Sequence, residues 1–97
     1  MLPVFLRSEA EIDVRQIHAN PEQIKAGLGK QFLAQLRGLL ERVEATPELY
    51  GVVWEDVRAA RLRKFRYIVY HVVLADRVEV LAVLHAARDS TEWQMRA

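Results

Sequence analysis

The chain opens on an apolar stretch, LPVFL at residues 2–6, and turns polar at Ser8, Glu9 and Glu11. The apolar stretch predicts a short strand, with Pro3 at its start, where a missing backbone N–H is tolerated. Ser8 ahead of two acids predicts a helix N-terminus: a hydroxyl caps free N–H groups, and acids suit the positive end of the helix dipole. Ile12 and Ile17 mark the apolar face of this first helix. Asn20-Pro21 is expected to end or kink it, with a further turn from Pro21, because proline disfavours helix in the residue before it. The GLG at 27–29 then breaks the chain. Beyond it, Phe32, Leu33, Leu36, Leu39, Leu40 and Val43 form one stripe of a 3.6-residue helix, closed by Thr46-Pro47. Two helices joined by a glycine turn make an antiparallel hairpin that must lay its apolar side on something.

A sheet follows. Residues 57–63, 66–74 and 78–85 are rich in Val, Ile, Tyr and Leu and read as strands. LADRVEV places a tight turn at Ala75-Asp76, so the last two strands pair antiparallel. VEVLAVLH is apolar on both faces apart from Glu79, which predicts a strand in the interior of the sheet. In the tail, Asp89 and Glu92 have the spacing of a capping box for one short helix, and Trp93 either folds back or stays exposed as an anchor. The fold class is α+β: an N-terminal strand and an antiparallel helical hairpin packed on a small antiparallel sheet, ordered β-α-α-β-β-β with a short C-terminal helix, all in one domain of 97 residues.

Composition narrows the functional classes. No apolar run reaches the ~20 residues that span a bilayer. The start MLPVFLRSEAEI turns acidic too quickly for a signal peptide, and there is no cysteine for a disulfide framework or thiolate chemistry. The expectation is a cytoplasmic protein with no membrane partner. Net charge is only +1, yet five of the fourteen Lys and Arg residues fall between Val57 and Arg66, with no acid among them. Acids gather instead at Glu9, Glu11 and Asp13. Such a polarised surface suits a partner of opposite sign, acidic peptide or phosphate.

Strand alternation puts Arg61 and Arg63 on one face of their strand, with Arg58 on the other. Arg61 and Arg66 then converge across a turn, and Arg88 arrives from the end of the last strand. Three guanidiniums at one end of a sheet suit a phosphate or carboxylate, since each is a planar fork of donors. The competing reading is a charged edge that merely discourages strand-to-strand aggregation. His18, His71 and His85 have no acid or cysteine at metal-ligand spacing and no nucleophile motif beside them, so they read as structural. The GLG joins two helices rather than a strand and a helix, so it is a turn and not a phosphate loop. Tyr50, Trp54, Tyr67 and Tyr70 read as core or partner-contact aromatics. No metal or cofactor is implied.

The succession GLGKQFLAQL, ATPEL, VRAARLRKFRYIVYHVV and DRVEVLAVLHAARD resembles the RelE/ParE superfamily of bacterial type II toxins over nearly the whole chain. The resemblance implies a small twisted antiparallel sheet carrying a helical hairpin, in agreement with the pattern above. It also implies one of two activities. RelE-like members cleave messenger RNA on the ribosome with a Lys and Arg cluster and a terminal aromatic acid/base, whereas ParE-like members bind and poison DNA gyrase. Arg66 and Arg88 match two arginines of the ribonuclease pattern, with Arg61 beside them. Val57 and Ala59 stand where that pattern has lysines, and Gln94 stands at its tyrosine. None of these three can move a proton or clamp a scissile phosphate.

The resemblance therefore points to a ParE-like, non-enzymatic gyrase inhibitor neutralised by a ParD-like antitoxin in a hetero-oligomer, with operator DNA reached only through the antitoxin. The alternatives are a RelE-like endoribonuclease with a reduced catalytic set and a degenerate toxin that only binds antitoxin. The expected antitoxin contacts are Arg58, Arg61, Arg63 and Arg66 with an apolar groove of Leu28, Leu36, Tyr70 and Leu81, and the expected target contacts are Arg88 and Trp93.

Overall fold

The computed structural model of the chain describes residues 2–24 and 26–97, and the side chains of all of these except 20–24. The elements are β1 (Val4–Leu6), α1 (Ser8–Ile24), α2 (Leu28–Ala45), a 3-10 turn (Pro47–Leu49), β2 (Val52–Trp54), β3 (Val57–Arg61), β4 (Tyr67–Val73), β5 (Val78–His85) and α3 (Ser90–Gln94). The five strands form one sheet in the order β1-β5-β4-β3-β2. Neighbours run antiparallel except β1, which pairs parallel to β5, Val4 opposite Val78 and Leu6 opposite Val80. The α+β class holds, and β5 lies inside the sheet between β1 and β4.

Three local expectations change. α1 runs without interruption from Ser8 to Ile24, so it does not end at Asn20-Pro21. Among its described side chains the buried ones are Ala10, Asp13 and Ile17, while Ile12 is 45% exposed. An acid inside the buried stripe hid the true face of this helix from a reading by hydrophobicity. The strand expected over 57–63 stops at Arg61, because the ladder to β4 ends where Arg61 meets Ile68. Arg63 consequently sits in the following turn and does not alternate with Arg61. Finally, β2 is a three-residue edge strand with Val52 and Val53 both exposed, a pattern with no buried side to betray it. At the helix junction, Gly27 has φ 92°, a left-handed conformation that favours glycine, and its carbonyl accepts the Gln31 N–H at 3.0 Å.

The sheet separates two cores. On the helix side, Ala10, Ile17, Phe32, Leu36, Leu39 and Val43 pack on Ala60, Val69, Val78, Val80 and Val83. On the far side, Val57, Ile68, Tyr70, Val72, Leu81, Ala82 and Leu84 pack under Trp93. A bulge explains how one strand serves both. Tyr70 pairs with Ala82 but His71 pairs with Val80, so Leu81 is an extra residue in β5. Val78 and Val80 face the helices, Leu81 and Ala82 both face away, and Val83 returns to the helix side.

His71 is fully buried, with its Nδ1 3.4 Å from the Val69 carbonyl and its ring edge-on to Tyr50 at 5.9 Å. Its Nε2 has no hydrogen-bond partner among the described residues. Burial holds this imidazole below its ordinary pKa; the Val69 and Pro47 carbonyls oppose the shift and Arg58 adds to it. The unfolded chain therefore takes up a proton that the folded chain refuses, and stability is expected to fall as pH drops below the ordinary imidazole value of about 6.5. Denaturant unfolding on either side of that pH checks this, with His71→Leu expected to flatten the dependence.

Candidate functional site

The basic residues of the β3–β4 turn have separate fates. Arg58 is half-buried and donates its Nη1 to the carbonyls of Glu48 at 3.2 Å and Tyr50 at 2.7 Å. It ties the 3-10 turn to β3, so its Nη1 is engaged within the fold, unlike the exposed guanidiniums of the turn. Arg61, Arg63 and Arg66 are exposed and ring a hollow of about 320 Å³ with Tyr67, Ile68 and Ala86. Ala86 donates its N–H to the Arg66 carbonyl at 2.8 Å, which brings the end of β5 against this hollow.

Arg88 does not join them. It lines a smaller cleft of about 100 Å³ with Asp13, Gln16, Tyr67 and His85, and Tyr67 is common to both spaces. Its guanidinium is held by both carboxylate oxygens of Glu92, the Nε bond at 3.0 Å. Here the capping box is only half formed. Asp89 does cap α3, accepting the Thr91 N–H at 3.0 Å, and that hydrogen bond keeps its carboxyl below the usual range. Glu92 is spent on Arg88 instead. The expected trio of arginines is thus a pair, Arg61 and Arg66, completed by Arg63.

The expected apolar groove divides between the two sides of the sheet. Leu36 lines a groove of about 310 Å³ with Val4, Leu33 and Leu40, edged by Arg37, Glu41 and Glu44. Leu28 is half-buried in the first turn of α2. Tyr70 and Leu81 lie on the opposite face, buried in the far core, because strand alternation turns each away from the helix-side Val69 and Val80 that precede them. Trp93 is also a core residue, 5% exposed, stacked on Tyr70 at 4.5 Å and meeting Trp54 edge-on at 6.1 Å. It is not an exposed target contact. Under it, burial pushes the Tyr70 phenol above its ordinary pKa, with nearby Arg61 opposing.

Sequence reasoning missed the residues that fix this corner. β1 ceases to cover β5 after Val80, leaving the Leu81 carbonyl and Val83 N–H on an open edge. Asp13 accepts the Val83 N–H at 3.0 Å, and Arg96 donates to the Leu81 carbonyl at 3.2 Å. The two side chains also bond each other at 2.6 Å and 3.3 Å, so an ion pair stands in for the missing strand. Arg7 holds the Arg96 carbonyl at 2.9 Å and Glu79 at 2.8 Å. The only advance signal was the acid at Asp13 within an otherwise apolar helical spacing.

Val57 is fully buried, Ala59 packs against the far core, and Gln94 follows Trp93 on α3. Among the described residues, no group of three His, Asp or Glu side chains is placed to hold a metal ion. No described helix is long and apolar enough to cross a membrane.

Residues 4–90 match the family model of the ParE toxin of the type II toxin–antitoxin system parDE. The chain belongs to the ParE toxin family. Among solved structures it is similar to one described as the chromosomal ParDE toxin–antitoxin system from P. aeruginosa, with a TM-score of 0.78 at 10% identity, covering 88% of this chain and 96% of that one. At that identity the likeness speaks for the ParE fold. No curated protein matches the chain by sequence. For a ParE-family toxin, the apolar groove beside α2 and the basic hollow at the β3–β4 turn are two distinct surfaces, on different elements and of opposite chemistry.

Proposed function

We propose that this toxin inhibits DNA gyrase without cleaving nucleic acid, and that a ParD-like antitoxin neutralises it in a cytoplasmic hetero-oligomer. The observation that carries the reading is the chemistry of the far sheet face. Val57, Ala59 and Gln94 occupy the positions where ribonuclease relatives are expected to keep two lysines and a tyrosine, and the face is closed by Trp93 stacked on Tyr70. Phosphodiester cleavage without a metal needs both proton transfer and charge stabilisation; Arg61 and Arg66 at the end of this face offer charge, but Val57, Ala59 and Gln94 offer no group that transfers a proton. The antitoxin is assigned to the groove of Val4, Leu33, Leu36 and Leu40, where an amphipathic segment can bury apolar side chains and meet Arg37, Glu41 and Glu44 at the rim.

The test pairs a gyrase supercoiling assay with a translation extract carrying added message, using wild type and Arg88→Ala. Inhibited supercoiling with intact message is the expected result. Arg88→Ala is expected to weaken that inhibition while shifting stability by no more than about 1 kcal/mol, because the Arg88–Glu92 pair is largely exposed. Message cut at the ribosome with supercoiling untouched overturns the reading.

A further inference from the structure

The hollow ringed by Arg61, Arg63 and Arg66 has a neighbour. A second hollow, of about 360 Å³, lies between α2 and the β3–β4 turn and is lined by Gln35, Arg42, Leu62 and Arg63. Leu62 and Arg63 belong to both, so a continuous basic belt passes from the end of the sheet around the turn to the side of α2. Lys64 adds charge at the crest, held by Gln31 Oε1 at 3.0 Å.

Four other arginines of the fold are neutralised, while Arg15, Arg37 and Arg58 form no ion pair with a carboxylate among the described residues but stand apart from this cluster. Arg7 and Arg77 share Glu79, each at 2.8 Å, Arg88 has Glu92, and Arg96 has Asp13. None of Arg42, Arg61, Arg63 and Arg66 forms an ion pair with a carboxylate among the described residues. Unpaired cations held side by side repel one another, and a bound polyanion removes that cost. Each guanidinium brings five N–H donors in a planar fork suited to phosphate oxygens.

We infer that this belt binds the phosphodiester backbone of DNA, and that in the inhibited complex it grips the DNA on which gyrase works. The second half rests on the gyrase reading above. An acidic peptide is the weaker fit. Peptide recognition is dominated by a few apolar or aromatic anchors in pockets, and Leu62, the residue between the hollows, is itself already buried at 6% exposure. The apolar groove suited to such anchors is lined from another side of α2, by Leu33, Leu36 and Leu40. Backbone binding needs only charge and forks.

The test measures binding of a labelled short DNA duplex to the full chain by fluorescence anisotropy, as salt rises from about 50 mM to about 200 mM. Affinity is expected to fall with salt, with a log–log slope of about −0.9 for each phosphate engaged. Arg63→Glu and Arg61→Glu are each expected to weaken binding about tenfold and to flatten the slope by about one, with unchanged circular dichroism and melting. Arg63→Lys keeps the charge and is expected to recover part of the loss. Variants that bind like wild type, or a slope near zero, overturn the proposal. So does poly-glutamate competing as well as DNA at equal charge, which assigns the belt to an acidic protein segment. Supercoiling assays separate the two readings. Arg61→Glu and Arg63→Glu losing DNA but still inhibiting gyrase removes the belt from the inhibited complex. Salt-sensitive DNA binding by a wild type that leaves gyrase unaffected removes the gyrase reading and retains the belt.

Discussion

Replacing Asp13 with alanine is expected to lower the unfolding free energy by about 3–5 kcal/mol, the usual loss when one partner of a buried ion pair is removed. The Asp13 side chain is 8% exposed and that of Arg96 14%, so solvent does little to compensate. Alanine affects two groups at once: the Arg96 guanidinium loses its closest carboxylate, keeping only Glu9 at 3.8 Å and Glu92 at 3.9 Å, and the Val83 N–H loses its acceptor. Asp13→Asn retains an acceptor for Val83 and is expected to lose clearly less. Arg96→Ala leaves Asp13 buried with one backbone donor, and the double alanine variant is expected to cost less than the sum of the singles, by about 0.5–3 kcal/mol of coupling. Urea unfolding of the four proteins measures this cycle. Strict additivity would remove the pair from its role as a substitute strand along β5.

Trp93→Ala is expected to cost a further sizeable amount, about 3–5 kcal/mol, as large aromatic truncations in cores do. The indole covers Tyr70 and Trp54 on a sheet face that has no helix other than the five-residue α3 to shield it. For a domain of this size each kcal/mol moves the melting temperature by roughly 4–8 °C, so the variant melts far below wild type. The same change wets Tyr70, whose raised pKa is expected to move back toward its ordinary value in an ultraviolet titration. Gln94→Ala, half-buried on the next position, serves as the contrast and is expected to be nearly silent. Truncation before Trp93 removes Arg96 as well, and loses toxicity by unfolding rather than by loss of a target contact. A truncated chain that melts like wild type and is still non-toxic would restore Trp93 as a recognition residue.

These two effects show why the sequence alone left Trp93 open between a folded-back residue and an exposed anchor. A tryptophan near a chain end, among polar residues, has the local pattern of an exposed anchor. Whether it folds back depends on whether a sheet face waits for it, and that face is assembled from β3, β4 and β5. The basic turn shows the opposite case. Arg61, Arg63 and Arg66 stand exposed where their charge density indicated, because a run of cations without acids has no way to bury itself.

By itself the sequence determined the order of the elements other than β2 and the 3-10 turn, the stripe of α2, the turn at Ala75-Asp76, the interior position of β5, the family resemblance and the basic segment. Each rests on short-range periodicity or composition, which neighbouring residues express without knowledge of the rest of the chain. Only the tertiary structure decided which face each strand residue serves. Ordinary alternation turns Tyr70 and Leu81 away from the groove that Leu36 lines, and one extra residue at Leu81 reverses the side of Ala82 and everything beyond it. It alone decided that Arg58 is spent on backbone carbonyls, that Arg88 belongs to Glu92, and that Asp13 finds Arg96 eighty-three residues away. Hydrogen-bond partners so distant in the chain are chosen by where backbone groups are left open at a sheet edge, and local sequence carries no trace of that edge.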